Sequence, residues 1–411
     1  MLNQTFNVPK LRFGEFEGEW VEKRFDDILS IIDGDRGVNY PKIDDFYDDE
    51  YCLFLSAKNV TKNGFSFIVK QFITEKKDNL LSKGKLERFD TILTTRGSVG
   101  HFAFYSKNID FYNIRINSGM VLLRSKDSNL FEEYLYKACS SYNISKQIKN
   151  IAFGSAQPQL TVKEIKKIKI FLPKKNEQQK IAIFLTSIDK KIEQLNQKRT
   201  LLESYKKGVM QKIFSQEIGF KRDDGGVFED WKEEELKNYL LESRIKGSSG
   251  DKAKKLTVKL WGKGVYRKNE IREGSSNTQY YIRKEGQLIY SKLDFLNCAF
   301  GLIPKKLDGY ESTVDLPCFD FIKDVNKELL LERIKQKNFY KKNGDIADGS
   351  RKAKRIHANT FLSYTLFFSC LEEQQKISNF LTSIDQKITQ NNQVLEEMKA
   401  FKKGLLQQMF V

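Results

Sequence analysis

One stretch of the sequence carries the residue types that contact a phosphate backbone: Thr95-Arg96-Gly97-Ser98-Val99-Gly100. Glycines let a main chain approach a phosphate closely, while the Arg96 guanidinium and the Ser98 hydroxyl can donate hydrogen bonds to it. The stretch follows residues 91–95, whose β-branched and apolar side chains predict a strand. Gly97 and Gly100 are equally typical of an ordinary hairpin turn, so both interpretations stay open.

A second group of basic residues lies in the other half of the chain. Lys292 occupies the place equivalent to Arg96, two residues after the predicted strand Leu288–Tyr290, but without the glycines. Residues 341–355 form a predicted basic loop that can neutralise phosphates or contact guanine edges, and a solvated run of surface charge is the alternative. The candidate contacts in this loop are Arg351, Lys352 and Arg355.

Two glutamines, Gln157 and Gln159, lie in a predicted loop over residues 153–159, where Gly, Ser and Pro break any regular period. Their amides can bind adenine edges, or they can stabilise the loop itself. The full set of predicted DNA-binding residues is Arg96, Gly97, Ser98, Gly100, Gln157, Gln159, Lys292, Arg351, Lys352 and Arg355.

Motifs of catalysis are missing from the sequence. It contains two histidines, no G-x-x-x-x-G-K-[ST] phosphate loop, and no adjacent prolines of the kind found in amino-methylating enzymes. The five cysteines, at positions 52, 139, 298, 318 and 370, show no C-x-x-C spacing, so neither a zinc site nor a disulfide framework is predicted. We therefore expect a binding protein without catalytic residues, metal or cofactor of its own.

The charge balance favours an anionic partner. Lys and Arg number 71 against 54 Asp and Glu, which gives a net charge of +17 and a pI of about 9.3. Nucleic acid is the usual partner of such a protein, although a lysine-rich genome would produce the same bias. With neither a basic-then-apolar leader nor an apolar run of membrane-spanning length, we expect a cytoplasmic protein that does not enter membranes.

The elements that must position these residues form a repeat. Glu177-Gln178-Gln179-Lys180-Ile181 recurs, without a gap, as Glu373-Gln374-Gln375-Lys376-Ile377, and the match continues for about three dozen residues. Trp20 and Trp231 begin matching stretches further upstream. We predict an internally duplicated α+β protein: globular domains over 1–173 and 217–370, and long coiled-coil helices over 174–216 and 371–411.

Each predicted helix has one apolar stripe whose spacing alternates between four and three residues, the heptad pattern of a coiled coil. Two unrelated amphipathic helices, each packed on its own domain, are the alternative. The predicted seam residues are Ile181, Leu185, Ile188, Ile192, Leu195, Arg199, Leu202, Ile377, Leu381, Ile384, Ile388, Asn391, Leu395 and Met398.

The polar seam residues favour an antiparallel pair. A parallel pair in register would place Lys206 against Lys402, which is a like-charge contact. An antiparallel pair, with Ile181 facing Met409, separates the two lysines so that each charge reaches water. That arrangement also places Arg199 opposite Asn391, and Leu195 opposite Leu395.

Local patterns predict the remaining elements. We expect strands at 53–55, 65–69, 91–95, 120–123 and 288–290, and helices within 131–149 and 329–339. Apolar runs at 168–172 and 361–368 close the two globular regions before the long helices.

Two globular regions, each followed by a helix that opens with Glu-Gln-Gln-Lys-Ile, resemble the specificity subunit of type I restriction–modification systems. Further stretches resemble that family as well: Phe-Gly-Ser-Ala-Gln-Pro-Gln-Leu at 153–160, Arg96–Gly100, Pro173 shortly before Glu177, and Tyr290–Phe295. The resemblance covers almost the whole chain.

The resemblance implies two target-recognition domains, each reading one half of a bipartite site in double-stranded DNA. The antiparallel helices would hold the domains apart, act as a spacer ruler and provide a docking site. Two methyltransferase (modification) subunits would bind this chain, joined in the full complex by two restriction subunits that are ATP-driven translocase–nucleases. S-adenosylmethionine, ATP and Mg²⁺ would belong to those partners. A coiled-coil scaffold or adaptor without DNA readout is the alternative function, and a nuclease without a recognisable motif is a second.

Overall fold

The computed structural model describes residues 7–152, 158–269, 274–344 and 355–411. The chain divides into two compact units: unit 1 comprises residues 1–198 and 391–411, and unit 2 comprises residues 199–390. Each unit therefore groups one globular region with part of both long helices. The domain boundaries drawn from the sequence at 173/174, 216/217 and 370/371 stay predictions.

The elements that begin in the first globular region are mostly short. The strands are β1 Val21–Arg24, β2 Leu29–Asp33, β3 Cys52–Leu55, β4 Val60–Thr61, β5 Gly64–Phe65, β6 Phe72–Ile73, β7 Thr91–Thr94, β8 Phe102–Phe104, β9 Ile114–Ile116, β10 Met120–Ser125 and β11 Lys169–Leu172. The helices are α1 Phe25–Ile28, α2 Glu75–Leu80, α3 Glu132–Cys139, α4 Tyr142–Ala152, α5 Val162–Ile165 and the long α6 Lys175–Phe214.

The second globular region has a comparable inventory. Its strands are β12 Lys232–Glu235, β13 Leu240–Ser243, β14 Lys246–Ser249, β15 Leu256–Val258, β16 Val265–Arg267, β17 Gln279–Ile282, β18 Leu288–Tyr290, β19 Phe300–Leu302, β20 Glu311–Ser312, β21 Cys318–Phe321 and β22 Thr365–Phe368. The helices are α7 Lys327–Ile334, α8 Lys337–Gly344, α9 Ala358–Leu362 and the long α10 Leu371–Gln408.

Each unit is built on an antiparallel four-stranded sheet. The strand order is β2-β10-β7-β8 in unit 1 and β13-β21-β18-β19 in unit 2. A separate two-stranded ladder, β1–β11 or β12–β22, joins the first strand of each region to the strand that precedes its long helix. The second sheets differ, because β3 and β9 pair in parallel within β6-β3-β9, whereas β14-β17-β20 is antiparallel.

The motif Glu-Gln-Gln-Lys-Ile anchors each long helix to its own globular region. The buried Gln178 accepts a 2.9 Å hydrogen bond from the Phe131 amide and donates one of 2.9 Å to the Pro173 carbonyl. Gln374 does the same in unit 2, with 2.9 Å from the Asn326 amide and 2.8 Å to the Ser369 carbonyl. A buried amide with both ends bonded fixes the helix in one orientation.

In unit 1, α6 and α10 pack antiparallel. Leu185 of α6 shares a buried cluster with Leu405 of α10 and with Met409, the residue that follows α10. The Asn391 side-chain amide donates a 2.9 Å hydrogen bond to the Leu195 carbonyl, and Lys402 Nζ lies 2.5 Å from Asp189 Oδ1. Residues with higher numbers in α6 therefore contact residues with lower numbers in α10, as in an antiparallel pair.

Unit 2 contains the same antiparallel arrangement. Met210 and Ile213 of α6 cluster with Ile377 and Leu381 of α10, and Lys206 Nζ lies 2.8 Å from Asp385 Oδ1. All of the predicted seam residues in the two helices are buried or half-buried. The expected meeting of Arg199 with Asn391 joins residues of different units and stays a prediction.

The two seam lysines differ from the expectation that their charges would simply reach water. Lys402 and Lys206 each contact an aspartate of the facing helix. The two pairs occupy equivalent positions in the sequence repeat, because Asp189 and Asp385 are 196 residues apart, as are the two lysines. Partly exposed pairs of this kind contribute about 1 kcal/mol or less, so their main effect is on register.

Three local predictions are corrected by the structure. Residues 131–149 form two helices, α3 and α4, because the helix ends at Cys139 and the Ser141 hydroxyl accepts a hydrogen bond from the Ile144 amide. Within 329–339 the helix likewise breaks, between α7 and α8. The predicted strand 65–69 is confined to β5, because the side-chain amide of the buried Asn59 donates hydrogen bonds to the Ser66 and Val69 carbonyls.

No helix within the described ranges has the length and apolarity needed to cross a membrane.

Candidate nucleic-acid interface

The ends of three strands of unit 1 meet at one edge of the four-stranded sheet. Asp33, the last residue of β2, pairs with Val121 of β10, and Thr94, the last residue of β7, pairs with Met120. Since antiparallel neighbours place the end of one strand beside the start of the next, the loops 34–37, 95–101 and 117–119 lie together. We call this edge of unit 1 the first basic edge.

The predicted phosphate loop is a pinned hairpin turn at the first basic edge. The Thr95 amide donates a 2.8 Å hydrogen bond to the Gly119 carbonyl, and the Thr94 hydroxyl donates to the Ser98 carbonyl. Gly97 and Gly100 have φ values of 70° and 85°, which glycine adopts without strain. The hairpin interpretation is therefore correct for the backbone, and the turn leaves Arg96, Gly97 and Ser98 exposed, with Gly100 half-buried.

Sequence reasoning missed Arg36, which lies at the same edge. Its guanidinium donates to the Asp33 carboxylate at 3.1 Å and to the Ser118 carbonyl at 3.2 Å, and the side chain is 46% exposed. The signal was available in Asp33-Gly-Asp-Arg-Gly37, a turn composition directly after a strand-forming run.

Asp35 holds the loop that carries Arg36. It accepts hydrogen bonds from the Gly37 amide at 2.9 Å and from the Ser82 amide and hydroxyl at 2.8 and 3.0 Å. The bond from Gly37, together with those from Ser82, lowers the pKa of the Asp35 carboxyl to about 2 despite the opposing effect of burial. Asp35 therefore acts as a positioning residue.

Gln159 is also exposed. It lies near the first basic edge, because the amide of the neighbouring Leu160 donates a 3.0 Å hydrogen bond to the Thr95 carbonyl. Gln157 lies outside the described residues, as do Arg351 and Lys352 of the other half. Lys341 and Lys342 belong to the end of α8, so these two residues are helical and not part of a loop.

Unit 2 has a corresponding edge, which we call the second basic edge. Ser243, the last residue of β13, and Ile289 of β18 both pair with Cys318 of β21. The loops beginning at Arg244 and Ser291 therefore lie beside the loop that precedes β21. Sequence reasoning missed Arg244, whose side chain is 62% exposed and whose Nη2 lies 2.9 Å from Glu242 Oε2.

Lys292 differs from its counterpart Arg96, because only 8% of it is exposed. Its amide donates a 2.9 Å hydrogen bond to the Asp315 carbonyl, and its carbonyl accepts one of 3.2 Å from the Ile356 amide. Burial lowers the pKa of the Lys292 ammonium, while the Asp315 carboxylate acts in the opposite direction. Arg355 is 48% exposed, with Nη1 3.9 Å from Asp315 Oδ1. Arg355 and Arg244 are therefore better placed than Lys292 for an outside contact.

A buried arginine fixes the second basic edge from within. Arg283 donates hydrogen bonds of 2.8 Å to the Ser243 carbonyl and to the Ser312 hydroxyl, and one of 3.2 Å to the Leu316 carbonyl. Burial lowers the pKa of this guanidinium. The side chain joins the end of β13 to the loop before β21, so its role is structural.

Each unit has a further candidate surface on its part of the long helices. Tyr205 in unit 2 and Phe401 in unit 1 are 54% and 53% exposed. They occupy the same position of the sequence repeat, 196 residues apart. Exposed aromatic side chains on a helix are typical anchors of a protein–protein interface.

In the described part of the chain, no group of His, Cys, Asp or Glu is arranged to hold a metal ion.

Comparison with known proteins identifies the family that the first part of the chain matches. Residues 17–204 match a family described as the type I restriction modification DNA specificity domain. The putative MjaX specificity subunit of Methanocaldococcus jannaschii, a type I restriction enzyme subunit, is 27% identical over 263 residues, which cover 59% of this chain and 58% of that protein. The MjaVIII specificity subunit of the same organism is 26% identical over 318 residues, covering 71% and 72%. The first match thus spans little more than half of its relative's length.

A solved structure supports the same assignment at the level of fold. The type I restriction–modification S subunit from M. genitalium has a TM-score of 0.56 and 13% identity, and the match covers 98% of this chain and 99% of that one. The fold of this chain is therefore similar to that of the S subunit. Residues 17–204 belong to the family of the type I restriction modification DNA specificity domain, and the resemblance drawn from the sequence is confirmed.

Proposed function

We propose that this chain is a DNA-binding specificity subunit that reads a bipartite target and directs methyltransferase and restriction subunits to it. The observation that carries the proposal is a pair of basic edges at the same end of equivalent sheets. Arg36 and Arg96 lie at the first, and Arg244 and Arg355 at the second. Arginine suits both phosphates and guanine edges.

The proposal includes an internal duplication. It is supported by the matching strand orders, by the shared bonding of Gln178 and Gln374, and by the two equivalent lysine–aspartate pairs. The basic edges themselves differ, since one presents an exposed glycine turn and the other a buried Lys292 beside Asp315. Similar scaffolds with different edges would bind different half-sites.

Replacement of residues 221–368 by the equivalent region of a relative tests this division. That segment contains β12 to β22 and leaves both long helices intact. In cells that also express the methyltransferase, sequencing of methylated adenines should show one altered half-site and one unchanged. The exchange of residues 21–172, which contain β1 to β11, is the matched control and should alter the other half-site. Changes in both half-sites from either exchange would contradict independent reading.

We infer that the long helices provide two equivalent docking sites for methyltransferases, with Tyr205 and Phe401 as anchors. Restriction subunits would join the full complex, and S-adenosylmethionine, ATP and Mg²⁺ would be held by these partners. The mass of the co-expressed complex should correspond to two methyltransferases per chain. A complex that saturates at one would refute the two-site arrangement.

A coiled-coil scaffold without DNA readout makes a different prediction. Specific binding by the complex should weaken steeply with salt, because each neutralised phosphate contributes about −0.9 to the slope of log K against log salt. A complex that assembles fully but binds target and scrambled duplexes equally would support the scaffold instead.

We also propose that the paired helices act as a ruler, so that their length sets the number of unread base pairs between the half-sites. The equivalent aspartate–lysine pairs support this role, because they tie the register of α6 and α10 within each unit. Changing the helix length is the direct test.

A further inference from the structure

The hairpin β15–β16 of unit 2 ends in an unusual turn, residues 259–264. Val258 pairs with Val265, which leaves Lys-Leu-Trp-Gly-Lys-Gly as the connection. Trp261 has a φ of 62° and is 61% exposed. A left-handed conformation is strained for a bulky side chain, and strain of this kind concentrates at functional sites.

The turn is pinned to a loop of the second basic edge. The Trp261 amide donates a 2.8 Å hydrogen bond to the Asn297 carbonyl, and the Gly262 amide donates one of 2.7 Å to the Cys298 carbonyl. Cys298 itself has a φ of 54°. The loop that contains Asn297 and Cys298 begins at Ser291, directly before Lys292, and closes with a 3.0 Å bond from the Ser291 amide to the Ala299 carbonyl. The turn therefore extends the second basic edge.

The hairpin that carries the exposed ring is rich in positive charge. Residues 252–269 contain seven Lys and Arg residues and no Asp or Glu. Lys259 Nζ lies 4.1 Å from the centre of the Tyr266 ring, and Lys306 Nζ lies 6.0 Å from it. Lys263 is exposed within the turn. An aromatic side chain interleaved with lysines matches the chemistry of a nucleic acid, which offers both phosphates and base faces.

Unit 1 has no equivalent of this turn among its described residues. Its corresponding hairpin, β4–β5, pairs Thr61 with Gly64, so that Lys62 and Asn63 alone connect the strands. The longer turn with its tryptophan is thus a property of unit 2.

We propose that the 259–264 turn is a second DNA-contacting element of unit 2, in which the Trp261 ring stacks against a base step and Lys259, Lys263 and Lys306 contact phosphates. The inference rests on the proposed function, because it assumes that the second basic edge faces DNA. It assigns unit 2 a stacking contact next to its half-site that unit 1 does not make. The left-handed backbone at Trp261 then serves to aim the ring outward, away from the hairpin.

The test uses the full chain in complex with its methyltransferase, and three labelled duplexes that carry the methylated target found by sequencing. One duplex is intact, and the other two each have one half-site scrambled. Trp261→Ala and Trp261→Gly should weaken binding to the intact duplex by about five- to 150-fold, which corresponds to roughly 1–3 kcal/mol per stacked base. Trp261→Phe should retain most of the affinity.

The same variants separate binding from folding. Glycine adopts a positive φ without strain, so Trp261→Gly should unfold at a urea concentration no lower than the wild type does. Tyr112→Ala is the matched control: Tyr112 is 81% exposed and lies at the opposite end of β9 from the first basic edge. It should leave the affinity unchanged.

The loss caused by Trp261→Ala should disappear on one of the two scrambled duplexes, the one that lacks the half-site of unit 2. Trp261→Ala and Trp261→Gly complexes that bind the intact duplex within twofold of the wild type would overturn the inference. In that case the proposed function would still stand if the wild-type complex distinguished target from scrambled DNA. A wild-type complex without that discrimination would overturn both. Loss of the methyltransferase from the Trp261→Ala complex would assign the turn to protein docking instead.

Discussion

The ruler hypothesis leads to the most demanding prediction. A heptad is added to each long helix at the boundary between the units, by duplicating residues 192–198 in α6 and residues 384–390 in α10. The insertions follow Lys198 and Gln390, which keeps the Asn391–Leu195 hydrogen bond within unit 1. The Asp189–Lys402 and Lys206–Asp385 pairs also stay together, and the duplicated segments continue the seam.

The expected change follows from helix geometry. Seven residues add about 10.5 Å at about 1.5 Å per residue, which equals about three base pairs at a rise of about 3.4 Å. If the pair lies along the duplex, three base pairs rotate the DNA by about 100° at about 10.5 base pairs per turn. A left-handed supercoil of about 150 Å pitch turns by about 25° the other way over the same length. One heptad should therefore lengthen the spacer by about three base pairs and also weaken binding.

Three heptads in each helix provide an internal control on rotation. They add about 31.5 Å, or about nine base pairs, which brings the DNA within about 50° of a full turn. The supercoil turns by about 75° in the compensating sense, so the rotational mismatch falls from about 130° for one heptad to about 25° for three. The longer variant should therefore bind its own longer target better than the single-heptad variant binds its target.

The assay is sequencing of methylated adenines in cells that carry each variant and the methyltransferase. Longer spacers between unchanged half-sites are the expected result. Insertion into α6 alone should abolish methylation, since the two lysine–aspartate pairs can no longer form together. An active double-insertion variant with the original spacer would refute the ruler.

Three further predictions concern named side chains. Arg96→Ala should weaken specific binding and reduce the salt slope of log K by about one, because one phosphate contact is lost; fluorescence anisotropy over a salt series measures it, and an unchanged slope would remove Arg96 from the interface. Tyr205→Asp and Phe401→Asp should each remove one methyltransferase, and mass photometry that still finds two in either variant would reject these anchors. Asp78→Asn should lower the free energy of unfolding by about 3–5 kcal/mol, because the buried Arg115 loses its charged partner. Burial opposes ionisation of Asp78, but bonds from Lys85 and Arg115 outweigh it and lower the pKa. The difference in urea stability from the wild type should therefore be complete above the unfolded pKa of about 3.9 and shrink as the pH falls through the lower folded value.

Features that depend on local periodicity could be predicted from the sequence. The ungapped repeat and its heptad stripe predicted two long helices, and the polar seam residues favoured the antiparallel pair that both units contain. Strands such as β7 and β18 were found because their runs of β-branched or apolar residues end at recognisable turns. These signals lie within one element, so no knowledge of distant residues is needed to detect them.

Side chains that compete for local hydrogen bonds were the source of errors in the predicted elements. The Ser141 hydroxyl caps the start of a second helix within a predicted single helix. The Asn59 side-chain amide donates to the Ser66 and Val69 carbonyls, which a longer strand would have used for its ladder. The apolar pattern of these stretches is unaffected by such bonds. A pattern-based prediction therefore extends the element too far.

The sequence by itself indicated the resemblance to specificity subunits, the repeated pattern of long helices and the presence of basic stretches after strands. Only the tertiary structure decided which basic side chains reach the surface. Arg96 and Lys292 occupy equivalent sequence positions, yet one is exposed and the other is buried beside Asp315. Arg36 joins Arg96 only because antiparallel pairing brings the end of β2 to the end of β7. Burial and neighbourhood depend on strands that are distant in the chain, and a one-dimensional pattern does not contain that information.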